Sequence, residues 1–323
     1  MVFANTGKDV SLMSQATPVP HTEKSTRLKD YLQLTKPSLS IMVVFSSVIC
    51  YLLAPNVSFD WLNIFLLSAG GFLVTGGANG INQTVEKDTD AQMKRTASRP
   101  VAAGRMSQEE GWTVSILMGA TGAFLLGYFF NIQCALLALA SLFLYAFIYT
   151  PWKKKSALAV LIGAFPGALP CLIGWVAGTD VLGPFETFSI GGREVSNSGG
   201  WIMFLLQFFW QFPHFWAIAW IAHSDYSRAG FKLLPSDKGP TKFTALQTII
   251  YALLLIPVGI LPNLAGMTGM TSLVIVLLAN LGLLWLCVQL YRNMDAKSAR
   301  RVMFGSYIYL PVVFLALLAD KVV

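Results

Sequence analysis

The sequence predicts an all-α, polytopic membrane protein of nine transmembrane helices. Three observations lead there. The 323 residues are 55% hydrophobic and only 12% charged, with a mean hydropathy of +0.60, whereas a soluble domain carries roughly 25% charged residues. Nine stretches are apolar over about the 20 residues that a helix needs to cross a bilayer. Of the 23 basic residues, all but Arg193 and Lys321 fall in the N-terminal segment or in the loops after the even-numbered stretches. No stretch shows the alternation of a barrel strand, and lipid cannot satisfy the backbone polar groups of anything else but helix.

Residues 1–34 are polar and mixed in charge. They lack the apolar core of a cleavable signal and the Arg-rich, acid-poor character of a transit peptide. The expectation is a disordered cytoplasmic tail, with 35–323 forming the membrane domain. The apolar stretches run near 37–54, 61–81, 112–130, 132–150, 157–177, 201–222, 243–262, 271–291 and 303–319. Little more than Asn131 separates the third from the fourth, so those two form a tight hairpin. The fifth contains Gly163, Pro166, Gly167, Pro170 and Gly174 and is expected to kink or break, since proline removes a helix hydrogen bond. The loop at 178–200 reads as a passive connector. With nine alternating helices, the positive-inside rule puts the N-terminus in the cytoplasm and the C-terminus outside. The expected location is the cytoplasmic (inner) membrane of a bacterium.

The net charge is +7, but the basic residues form no single stripe with interleaved aromatics, so no nucleic-acid partner is expected. Cys50, Cys134, Cys171 and Cys287 stand singly in apolar runs without zinc or redox spacing. No G-x-G-x-x-G follows a strand, which excludes the dinucleotide fingerprint.

The second stretch runs on into Asn82-Gln-Thr-Val-Glu86-Lys-Asp88-Thr-Asp90. Asn82, Glu86 and Asp90 are spaced i, i+4, i+8 and so share one helical face. Carboxylates on one stripe repel unless a cation sits among them, and side-chain oxygens of this kind suit Mg²⁺ shared with phosphate. Asp88 lies on another face, as a second ligand or a water contact. Ionisable groups starting at membrane depth are costly and usually functional. Lys94, Arg95, Arg99 and Arg105 follow at once, so carboxylates to hold a metal are joined by bases to hold phosphate charge. Upstream, Gly70, Gly71, Gly76, Gly77 and Gly80 indicate either close helix packing or a slot for a flat or long ligand.

Two further clusters lie at the same membrane face. Tyr149-Thr150-Pro151 ends the fourth stretch and is followed by Lys153, Lys154 and Lys155. The sixth is dense in aromatics around Gln211, Pro213 and His214, enough to hold a flat ring or steady an allylic cation. His214 is a candidate haem contact, histidine being a common haem ligand. Beyond it Asp225, Arg228 and Lys232 repeat the acid-then-base order.

With these residues in view, the sequence resembles the UbiA-type intramembrane prenyltransferases. The resemblance rests on Asn82-xxx-Glu86-xxx-Asp90-xx-Met93-x-Arg95-Thr96-xx-Arg99-Pro100, Tyr149-Thr150-Pro151-x-Lys153, the Ile162–Pro170 run, and Pro213-His214-Phe215 with Asp225-Tyr226-xx-Ala229-Gly230. It extends over about 30–320, and the Met-x-Arg-Thr run and the Pro-His-Phe stretch point to haem as acceptor. The resemblance implies nine helices around a central cavity open to lipid, Mg²⁺-dependent binding of farnesyl diphosphate, and farnesyl transfer to a vinyl group of haem B (substrate rather than cofactor) to give haem O. It implies metal and catalytic roles for Asn82, Glu86, Asp90 and Asp225, with Asp88 as a further ligand. Diphosphate contacts would come from Arg95, Arg99, Lys153 and Lys232, with His214 at the haem. A haem A synthase or a terminal oxidase would be the assembly partner. The sequence departs from the pattern twice: Glu86 replaces an Asp, and Tyr226 stands where a second Asp would fall. Alternatives are a sister enzyme acting on a quinone precursor or chlorophyll-type ring, and a polytopic transporter using Glu86 and Asp90 as an ion relay.

Overall fold

The structure is a computed structural model that describes residues 26–55, 57–190, 193–236 and 238–322. Among these, eight helices are long and apolar enough to cross a membrane, and a bent pair makes a ninth. The chain is therefore a multi-pass membrane protein. The pair is α1 (Arg27–Thr35) and α2 (Pro37–Leu53), meeting at 46° across Lys36. Pro37 fits the first turn of α2, where its missing N–H costs nothing. Then follow α3 (Trp61–Val85), the short α4 (Lys87–Ala91), α5 (Gln108–Phe129), α6 (Ile132–Phe143), a π-helical turn at Leu144–Tyr149, α7 (Thr150–Trp152) and α8 (Leu158–Thr179). A hairpin of β1 (Thr187–Ile190) and β2 (Arg193–Ser196) leads to α9 (Ser198–Ile221), α10 (His223–Arg228), α11 (Lys242–Leu264), α12 (Met270–Asn293) and α13 (Ala296–Ala319). Contacts run from α2 through α3, α5, α6, α8, α9, α11 and α12 to α13, which touches α2 again, so the helices close a ring.

The disordered tail expected over 1–34 lies outside the described residues for 1–25, but Arg27–Thr35 is helical. Leu34 is buried, and Arg105 binds Asp30 Oδ1 (2.9 Å), Gln33 Oε1 (3.1 Å) and the Ser98 carbonyl (2.9 Å). The sequence grouped Arg105 with the bases that hold phosphate charge; it is instead a staple fixing α1 to the loop after α4. Several helices also overrun their apolar limits, because capping side chains satisfy the free N–H groups outside lipid. Ser107 accepts from Glu110 N (3.0 Å) to start α5, and Asp295 from Ser298 N (2.7 Å) to start α13. Asn131 caps α6 and makes the tight hairpin, accepting from Cys134 N at 2.9 Å.

Glycines decide the closest contacts. A Cβ on Gly77 would meet the Ser115 carbonyl oxygen at 2.6 Å, and one on Gly122 the Gly70 carbonyl oxygen at 2.6 Å, so α3 and α5 touch backbone to backbone. Of the two readings of the glycine face, close packing is the one realised there. The fifth span is one continuous helix instead of a broken one. Pro170 cannot donate to the Pro166 carbonyl, and Ser141 Oγ of α6 supplies that hydrogen bond at 3.1 Å. On the same helix Gly174 lies against the Ser47 backbone of α2, with no room for a Cβ. Gly174→Ala is expected to destabilise the fold by about 1–3 kcal/mol, as overpacking does, lowering the melting temperature in detergent. Gly282→Ala on α12, which meets nothing within 4 Å, is the control expected to leave it unchanged or raised.

The irregularity occurs one helix earlier, inside a span that runs on without a break. Pro151 has no N–H for the Phe147 carbonyl, and the turn before it widens to a π-helix, a form often found at functional sites. Thr150 Oγ1 donates to the Tyr145 carbonyl (2.9 Å) within the widened turn. At the opposite end, Asn197 ties the 178–200 connector down: it accepts from Trp175 Nε1 (2.7 Å) and donates to the Val181 and Gly183 carbonyls (2.9 Å each).

Candidate functional site

The stripe of side-chain oxygens survives a local break in its helix. α3 ends at Val85 and α4 begins at Lys87. The i→i+4 bonds nevertheless run through, from Glu86 N to the Asn82 carbonyl (3.0 Å) and from Asp90 N to the Glu86 carbonyl (2.7 Å). Asn82, Glu86 and Asp90 are thereby kept in line at the basic end of the bundle. They are 2%, 5% and 0% exposed. Burying two carboxylates is costly unless each is paired, and each is. Arg99 binds Asp90 Oδ2 at 2.6 Å, and Lys153 Nζ lies 2.5 Å from Glu86 Oε1. Asn82 accepts from Lys36 Nζ (3.1 Å) and donates to Thr150 Oγ1 (3.1 Å).

The π-turn positions the basic half. It brings Thr150 to Asn82 and sets Lys153 between Glu86 and the rings of Tyr149 (5.1 Å) and Phe231 (5.3 Å). Burial lowers the Lys153 ammonium below the usual lysine range, and the Glu86 carboxylate works the other way. Lys154 donates to Thr89 Oγ1 (2.6 Å), bracing α4. Arg95 donates to the Tyr226 hydroxyl (3.0 Å) and lies 5.5 Å from the centre of that ring. Burial raises the Tyr226 phenol, while Arg95 and Arg99 pull it down. Tyr226, Met93, Ala229 and Phe231 pack together, so the α4 loop and the loop after α10 close on one another.

Not every expected residue joins this cluster. Asp88 is exposed, on the outer face of α4. Asp225 is half-buried and pairs with Arg228 (3.9 Å); its neighbour Tyr226 is what reaches the first loop. The Lys232 side chain is exposed, although its backbone N–H donates to the Lys153 carbonyl at 2.7 Å. His214 is deep in α9, stacked on Trp210 (4.7 Å) with Nδ1 2.8 Å from Ser306 Oγ. Ser306 spends its one proton on the Met303 carbonyl (2.6 Å), so His214 Nδ1 donates and Nε2 carries the lone pair. The sequence reading missed Lys36, Thr150 and Tyr226 as site residues. Lys36 is held with a positive φ of 49° between α1 and α2, and only that tertiary bend brings it to Asn82.

A divalent cation fits this donor set. Asp90 Oδ1 is buried and has no hydrogen-bond partner among the described residues, and Glu86 Oε1 touches Lys153 in an orientation that makes no hydrogen bond. Hard oxygens with spare lone pairs, bases alongside and no thiols are what Mg²⁺ with a phosphate group requires. Among the described residues no three His, Cys, Asp or Glu side chains converge as a ready metal cage. A metal here would draw part of its coordination from Asn82 and from the ligand it carries.

Comparisons with known proteins bear on the family and the fold. Residues 43–317 match the UbiA prenyltransferase family. The protoheme IX farnesyltransferase of Cytophaga hutchinsonii is 41% identical over 301 residues, covering 92% of this chain and 99% of that protein. That of Flavobacterium johnsoniae is 42% identical over 299 residues, covering 90% and 94%. Among solved structures, digeranylgeranylglyceryl phosphate synthase superposes with a TM-score of 0.73 at 20% identity, covering 91% of this chain and 98% of that one. A UbiA homolog from Archaeoglobus fulgidus bound to GPP and Mg²⁺ superposes at 0.63 and 16% identity, covering 89% and 99%.

Proposed function

Because the chain belongs to the UbiA prenyltransferase family, we propose that it transfers farnesyl from farnesyl diphosphate to a vinyl group of protohaem IX (haem B), giving haem O and diphosphate. The observation that carries this reading is the buried Asn82–Glu86–Asp90 stripe with Arg99 and Lys153 against it. The names of the relatives at about 40% identity supply the acceptor.

Asn82, Glu86 and Asp90 would hold Mg²⁺, which when bound supplies positive charge to the diphosphate oxygens. Arg99, Lys153 and Lys36 stand where they can turn to the same diphosphate and neutralise the charge that grows as the allylic C–O bond breaks. Arg95, held by Tyr226, adds a fourth cation at the rim. The vinyl π electrons form the new bond to C1 of farnesyl while diphosphate leaves with the C–O electron pair. Water then adds at the carbon next to the ring, loses a proton and leaves the hydroxyl. Tyr145 and Tyr149, 5.3 Å apart, line the approach with aromatic faces that steady an allylic cation and exclude water. His214 Nε2, carrying a lone pair, is available to the haem iron. Asp88, Asp225 and Lys232 are given no contact with the diphosphate, because their side chains face solvent or another partner. By the positive-inside rule this end faces the cytoplasm of the inner membrane.

The test is to incubate purified protein with haem B, farnesyl diphosphate and Mg²⁺. Haem O should form with equimolar diphosphate, stop with a chelator and resume with Mg²⁺. Prenylation of a quinone precursor with haem B untouched would move the assignment to a sister enzyme.

A further inference from the structure

A cleft borders two of the rings that also touch the ionic cluster. It has a volume of about 280 Å³ and sits under α10 and the loop that follows. Its apolar wall is made by Tyr226 and Phe231, and its polar lining by His223, Ser227, Lys232 and Ser236. The two rings face both ways. The Tyr226 hydroxyl accepts from Arg95, and Phe231 lies against Lys153 Nζ on the diphosphate side, while both rings border the cleft on the other. His223 is held by Ser227 Oγ, 3.3 Å from Nδ1, and lies close against Gly239, whose φ of +80° bends the chain around the imidazole. The cleft thus offers an ammonium, an imidazole and two hydroxyls beside aromatic rings, with no carboxylate among the described residues of its lining.

That chemistry suits the carboxylate end of a flat, otherwise apolar molecule. Resting on the acceptor assigned above, we infer that this cleft seats the propionate edge of haem B, with Lys232 as the carboxylate contact and His223 and Ser227 as hydrogen-bonding partners. Carboxylates pair strongly with lysine, and the aromatic wall meets the porphyrin edge. Propionates and vinyls occupy opposite halves of the macrocycle. Anchoring the carboxylates here turns the vinyl half toward Tyr226, the side chain that stands between the cleft and the cluster proposed to hold farnesyl diphosphate. Binding energy from this remote, unreacting end would position the vinyl carbon. Lys232 is then an acceptor-binding residue, which accounts for its exposure on this side of the wall.

The experiment compares haem B with its dimethyl ester, in which the propionate charges are removed, as acceptors for the purified enzyme in phosphatidylcholine vesicles. Wild type should show a KM for the diester about tenfold above that for haem B, the loss expected of one charge-assisted contact, with the KM for farnesyl diphosphate unchanged. Lys232→Ala should raise the KM for haem B to the diester value and leave the diester unaffected, and Ser227→Ala should do so to a smaller degree. Equal KM values for the two acceptors in wild type, or an equal further loss on both in Lys232→Ala, would overturn the inference while farnesyl transfer itself stood. A Lys232→Ala defect seen only when phosphatidylglycerol is added would assign the cleft to lipid phosphate and overturn it too. No prenylated haem from wild type would instead remove the acceptor on which the inference rests.

Discussion

Asp90→Asn should reduce haem O formation at saturating Mg²⁺ by at least about 10²-fold, the scale seen when one electrostatic contact to developing charge is removed. Asp90 is fully buried, with Oδ2 on Arg99 and Oδ1 free of any hydrogen-bond donor among the described residues. The amide keeps shape and size but removes the charge that would hold the cation and orient Arg99. The same change leaves Arg99 facing a neutral group, so a stability loss has to be separated from a catalytic one. Thermal unfolding in detergent does this, as does the Mg²⁺ concentration for half-maximal rate, which should rise in Asp90→Asn and not in a merely unstable variant. Turnover within a factor of two of wild type, at ordinary Mg²⁺, would remove Asp90 from the site.

The second large effect is expected at Lys153. Lys153→Met leaves Glu86, only 5% exposed, without its 2.5 Å partner. Removing one member of a buried ion pair typically costs about 3–5 kcal/mol, and the variant also lacks a cation for the departing diphosphate, so activity should fall by about 10²-fold. Combining it with Glu86→Gln removes the unpaired charge. The double variant should regain most of the melting temperature yet stay inactive. Recovery of turnover with stability would mean that the pair only supports the fold.

The stripe at Asn82, Glu86 and Asp90 was legible because it needs only helical periodicity, and the i→i+4 bonds preserve it even where the helix breaks at Glu86. Arg99 was legible as a base near acids, and Lys153 through the resemblance carried by Tyr149-Thr150-Pro151-x-Lys153. Their partners were not, since Lys153 lies 67 positions from Glu86 in a chain that reaches it only through the π-turn before Pro151. The Asp225 and Lys232 expectations extended an acid-then-base order that periodicity alone cannot aim. α10 is six residues long, and its rotation is set by Tyr226 docking on Met93 and Arg95. Lys36 looked like orientation charge because nothing local marks the bend that carries it inward.

By itself the sequence determined the solvent of this protein, the number and order of its spans and the side on which its charge collects. These follow from hydropathy, helix length and the distribution of Lys and Arg, all one-dimensional quantities. Only the tertiary structure decided which bases meet which carboxylates, that Tyr226 and Phe231 form a wall with polar groups on both sides, and that Lys232 stands beyond it. The physical reason is that charge pairing in a buried site depends on distances between helices. Those distances are set by glycine contacts such as Gly174 against Ser47 and by one widened helical turn, neither of which changes the apolar pattern of the chain.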